Sequence, residues 1–212
     1  MVQFSPVYAS PQDLLRILQE SFPSIDPMRI DPHKKKNNYP YNYYHSYPHF
    51  LRYFSDLREI SIHNFYISTN FIYGWMPTIL SYSILEIPKT VELLNLVKHG
   101  VPLSPDQIGI IVRTIHNSLV GTSKLLHFIN PTQYAMWDSN ICLQFYGEAT
   151  EKIKTSIAAY EIYVAFLKHT QECEGFKAFL STYRIHFHDP EALPLRALEN
   201  CLFHLGKSSK TT

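Results

Sequence analysis

Residues 115–141, IHNSLVGTSKLLHFINPTQYAMWDSNI, hold the densest set of reactive side chains in the sequence: His116, Ser123, Lys124, His127 and Asp138. A lysine held without its proton can attack an electrophilic carbon. A carboxylate can steady positive charge that develops in a reaction. Three residues after Lys124, His127 shares its helix face and can tune it. Asp138, placed where a helix opens, stays ionised in the positive end of the helix dipole.

The elements that must position these groups follow from local signals. The stretch reads as the end of one helix, a tight turn over Leu119-Val120-Gly121-Thr122-Ser123, and a second helix. A link broken by Pro131 then leads to an Asp138 that caps a third helix. The start of the second helix offers backbone N–H groups at Gly121, Thr122 and Ser123 that suit a phosphate. Gly121 lets backbone come close there. Asp138 is a sensible N-cap whatever the protein does, and Trp137 and Phe128 fit a core as well as they fit a wedge against bases.

The rest of the chain reads as helices around this unit. Ser10-Pro11-Gln12-Asp13 carries a cap, a first-turn proline and an early acid, so a helix starts there and stops by Pro23. Residues 49–59 resume helical spacing. Residues 60–75 are rich in β-branched and aromatic types, yet have no second clear strand to pair with, so they read as helix. Residues 88–100 form a helix stopped by Gly100. Ser104-Pro105-Asp106-Gln107 is a capping box. Residues 150–170 read as one long helix, 175–183 as another, and 190–205 as a last one ended by Gly206, before a mobile tail at 207–212.

Residues 27–48 differ. PMRIDPHKKKNNYPYNYYHSYP holds four prolines, three consecutive lysines and five tyrosines, which argue for a loop. Lys34, Lys35 and Lys36 could meet phosphates while Tyr43 and Tyr44 stack on bases. The plainer reading straps the loop over a core by its rings.

The 115–141 segment resembles the helix-hairpin-helix DNA glycosylase superfamily. That resemblance implies an all-α domain over 1–212, with two closely associated helical lobes around a central helical hairpin. It also implies DNA N-glycosylase chemistry, with or without lyase activity: a hydrolase of DNA repair that grips nucleic acid and excises a modified base. Lys124 then matches the nucleophile, Asp138 the catalytic carboxylate, and His127 and Trp137 support them. The chain departs from the pattern in having Gly121 alone, with Ser123 near the second glycine position. Its Lys-to-Asp separation is 138 − 124 = 14, shorter than usual. The four-cysteine cluster of the iron–sulfur variety is missing, so no cofactor is implied. SKLLHFINP…WDSNI also looks like a segment of uncharacterised bacterial proteins. The rival function is a non-enzymatic interaction protein whose Tyr-rich loop binds a protein partner.

His186-Phe187-His188-Asp189 is a second cluster. On a strand its alternate histidines would face one way and could hold a metal, but before Pro190 they read more simply as surface residues, and no metal site is assigned.

Composition sets the outer bounds. The chain has 212 residues, 45% hydrophobic and 17% charged, which suits a globular protein and not a disordered one. Net charge is +1, so any basic face for DNA must be local. Cys142, Cys173 and Cys201 are odd in number and far apart, which suits a reducing cytoplasm and no disulfide framework. The N-terminal residues lack a signal-peptide pattern, and no apolar run reaches the length of a membrane span.

Overall fold

The computed structural model describes residues 4–25, 39–74 and 80–208, with the backbone alone at 39–44 and 208. The described residues are helical with no strand. The β-type pairing among them is one isolated antiparallel bridge, Tyr82 to Ile115. No helix among them is long and apolar enough to cross a membrane.

The helices are α1 (Pro11–Ser21), α2 (Tyr39–Asp56), α3 (Ile62–Gly74), α4 (Ile87–Lys98), α5 (Pro105–Thr114), α6 (Leu119–Ile129), α7 (Ser139–Tyr146), α8 (Glu151–Lys154), α9 (Ile157–Gln171), α10 (Phe176–His186) and α11 (Pro194–Ser208). They form two compact units. One is built from residues 1–27 and 134–212, the other from residues 28–133.

Local chemistry explains most starts. Ser10 Oγ accepts from the Asp13 N–H, and Pro11 opens α1. Ser104 and Gln107 form both halves of a capping box on α5. Each such cap contributes about 1 kcal/mol. Gly100 takes φ 82° just past α4, the left-handed position that glycine adopts without strain.

In the 28–133 unit, α6 is the central helix and packs against α2, α3, α4 and α5. It is buried at Leu119, at Gly121–Ser123 and from Leu125 to Ile129. A helix apolar around nearly its whole circumference belongs in a core. In the other unit α11 lies along α7, and α1 packs on α9, α10 and α11. Leu14, Leu15 and Leu18 of α1 are fully buried.

Four expectations need correction. First, α2 begins at Tyr39, inside the stretch read as loop. Pro40 is tolerated in the first turn, where its missing N–H has no intrahelical partner to lose. Pro48 lies inside α2. An interior proline costs about 3 kcal/mol, which packing of Phe50 and Phe54 on Phe71 helps to offset. Second, the long helix at 150–170 is two: α8 ends at Lys154, and Ser156 caps α9 by accepting from the Ala159 N–H. Third, the last helix starts at Pro194 and runs through Gly206 to Ser208, so Gly206 is no stop and residues 207 and 208 belong to the helix. Fourth, the turn between α5 and α6 is made by residues 115–118, and Gly121 sits inside α6.

Candidate functional site

Asp138 ends a segment outside regular secondary structure, 134–138, in the discontinuous unit. Tyr134, Ala135, Met136 and Trp137 are buried. A buried segment outside regular structure must find partners for its backbone groups. Two of these groups, and the Trp137 indole, find partners on three different helices. The Tyr160 hydroxyl of α9 donates to the Ala135 carbonyl at 2.9 Å. The Met136 N–H donates to the Glu199 carboxylate of α11. The Trp137 indole donates to the Lys154 carbonyl of α8 at 3.1 Å. Trp137 also meets Tyr146, Tyr160 and Tyr163 ring to ring, so it is a core side chain.

Asp138 itself has extended backbone, and Oδ1 accepts from the N–H of Asn140 at 2.8 Å and of Ile141 at 3.0 Å. It is partly exposed. The N-terminus of α7 favours negative charge at that point. Behind it lies a buried polar layer. Glu199 is 1% exposed and pairs with Arg196. Burial, and next the nearby Glu199 charge, push the Tyr163 phenol well above its ordinary range, so it is neutral. Its buried hydroxyl has no hydrogen-bond partner among the described residues.

The hairpin belongs to the other unit. His116 (φ 55°) and Asn117 (φ 51°) turn the chain in the left-handed region, and both are exposed. Ser81 Oγ lies 2.6 Å from His116 Nδ1. Ser118 caps α6, with Oγ accepting from the Gly121 N–H at 2.9 Å. Gly121 is tight for a packing reason: a Cβ there would lie 3.0 Å from the Tyr73 ring. Thr122 and Ser123 are 0% exposed, and the Thr122 N–H is taken by the Ser118 carbonyl. Lys124 is half-buried. His127 is buried, with Nε2 2.8 Å from the Tyr47 hydroxyl of α2.

Lys124 and Asp138 therefore stand in different units. Lys34, Lys35 and Lys36 lie outside the described residues. Tyr43 and Tyr44 fall on α2, with their side chains outside the description. The exposed turn of the hairpin is His116–Asn117; sequence reasoning singled out His116 as a reactive side chain but missed its place in the turn. Asn117 before the capping Ser118 was the available signal, because Asn tolerates the left-handed region.

His186 does not lie on a strand. It is the last residue of α10, and its Nε2 donates to the Ile25 carbonyl at 2.6 Å. His188 has φ 52° and Asp189 is partly buried, with burial raising its carboxyl from the usual range. Among the described residues no three His, Cys, Asp or Glu side chains are grouped to hold a metal.

A shallow recess of about 290 Å³, lined by Phe4, Tyr146, Glu148, Thr150 and Lys152, opens at the C-terminal end of α7. Asp138 is at the other end of that helix, about 12 Å away by the rise of eight residues.

Comparison with protein-family models, with curated proteins and with solved structures finds no match.

Proposed function

We propose that the protein is a nucleic-acid-binding protein of the DNA glycosylase kind, with Asp138 as its working carboxylate. The observation that carries this reading is the anchoring of Asp138. Its Oδ1 is fixed by two backbone N–H groups, at the end of a segment tied to three other helices. A charge held in one place is what catalysis by electrostatic stabilisation needs.

In this reading the bond between a damaged base and its sugar breaks, and the electron pair leaves with the base. Asp138 steadies the positive charge left at the anomeric carbon. Water adds to that carbon and gives up a proton. Lys124 is assigned a phosphate contact.

The test is a panel of duplex and single-stranded oligonucleotides with oxidised, deaminated or alkylated bases, read for base release. Asp138→Asn should abolish release and keep binding, since the amide oxygen can still cap α7. Lys124→Ala should weaken binding and leave base release measurable at saturating oligonucleotide. Binding without release, weakened by Lys124→Ala, would make the hairpin a grip without chemistry. No binding at low salt would end the reading.

A second reading, an interaction protein, draws on one observation. Ile84 and Leu85 in the 28–133 unit are 70% and 95% exposed. These two neighbouring apolar side chains are a candidate contact point for a partner. A pull-down in which Leu85→Glu loses a partner would favour it.

A further inference from the structure

The Asp138 segment is gripped on both sides by one helix. Two residues before Asp138, the Met136 N–H is taken by Glu199 of α11. Two residues after it, the Asn140 carbonyl is so close to Gly206 of α11 that a Cβ there would lie 2.0 Å from its oxygen. Glu199 and Gly206 are seven residues apart, two turns, so they lie on one face of α11. One contact is a hydrogen bond to a buried charge, and the other is a backbone approach that only glycine allows.

The charge at Glu199 is an expensive way to hold a helix. Taking a carboxylate and a guanidinium out of water costs several kcal/mol per ion, and an apolar pair of the same volume often does as well. What an apolar side chain cannot do is accept the Met136 N–H. That N–H lies in a buried non-helical segment, with no helix or sheet partner of its own. Arg196, one turn before Glu199, pairs with Oε1 and leaves Oε2 to accept the Met136 N–H.

We propose that α11 is the positioning element of the Asp138 carboxylate, with Glu199 as the positioning residue and Gly206 as the stop against which α7 is seated. This rests on the reading of Asp138 given above, but its physical core does not need that reading. If Glu199 sets the segment, its loss frees Met136. The start of α7 then becomes mobile, and the two N–H bonds to Asp138 Oδ1 open more often. Core damage elsewhere in the same unit lowers global stability without singling out those amides.

The experiment compares amide hydrogen exchange at Asn140 and Ile141 in the full chain under native conditions. Glu199→Ala should speed exchange at both by ten-fold or more beyond the change at amides of α1. Leu14→Ala, a buried truncation on α1 of the same unit, should raise exchange without that selectivity. If Glu199→Ala does not fold, Glu199→Gln with Arg196→Met keeps an acceptor for Met136 and removes both charges. That pair should retain slow exchange at Asn140 and Ile141. Equal exchange profiles in Glu199→Ala and Leu14→Ala, or fast exchange in the rescued pair, would overturn the proposal. Where wild type releases a base, Glu199→Ala should lower kcat at least ten-fold with KM within two-fold. Where wild type releases none, the glycosylase reading fails, and the exchange data still decide the role of Glu199.

Discussion

His127 Nε2 lies 2.8 Å from the Tyr47 hydroxyl, joining α6 to α2 inside the 28–133 unit. The imidazole is fully buried, and a buried ring nitrogen needs a partner to offset its lost hydration. This turns the residue expected to tune Lys124 into a tie between helices. Tyr47→Phe keeps the ring and removes the bond. It should cost about 1–2 kcal/mol, read as a lower urea midpoint. A double-mutant cycle with His127→Phe should show coupling of similar size. An unchanged midpoint in Tyr47→Phe would mean the bond contributes nothing.

Gly206 gives the sharpest packing prediction. A methyl group there would sit 2.0 Å from the Asn140 carbonyl oxygen and 2.7 Å from its carbon. Backbone cannot yield as a flexible side chain does, so Gly206→Ala should destabilise by about 3 kcal/mol. Gly74→Ala, with nothing within 4 Å, is the matched control and should stay within about 1 kcal/mol of wild type. A tolerated Gly206→Ala would refute the close seating of α11 on α7.

His204 makes the fold sensitive to acid. Burial, and then the Arg196 and Lys207 charges, lower its pKa from 6.5 to about 4. Between those values the unfolded chain binds the extra proton. The stabilising contribution is therefore present above pH 6.5 and is lost as pH falls toward 4. Complete, that loss is about 3 kcal/mol. Urea midpoints at pH 7 and pH 4.5 should differ less in His204→Phe than in wild type. Equal differences would remove His204 from the acid response.

The thiols should separate by accessibility. Cys142 and Cys201 are buried, and Cys173 is partly exposed. Burial, and then Glu172, raise the Cys173 thiol above its ordinary value, so little of it is thiolate near neutrality. A chromogenic disulfide reagent should react with one thiol of the native chain, faster at pH 9 than at pH 7. The other two should appear only in denaturant. Fast modification of two thiols in the native chain would contradict the burial.

What the sequence made legible was local. Ser10, Ser104 and Asp138 all cap helices as expected, because a cap depends on neighbours within three residues. The turn at His116–Asn117 was hidden because neither residue is glycine, while Gly121 drew the turn to itself and is small because Tyr73 needs the room. Gly206 misled in the same way: a helix stop and a close approach look alike along the chain. Glu199 could not be read at all. On its helix it resembles any solvent-facing glutamate, and its partner Met136 is 63 residues away.

The discontinuous unit has a consequence for the order in which the chain can fold. Its first helix, α1, packs on α9, α10 and α11, which begin at Ile157, Phe176 and Pro194. During synthesis residues 28–133 are added to the chain before any of these helices. The apolar stripe of Leu14, Leu15 and Leu18 must wait in water meanwhile, open to chaperones or to other chains. A chain released after Gln133 would carry every residue of one unit and one helix, α1, without its partners.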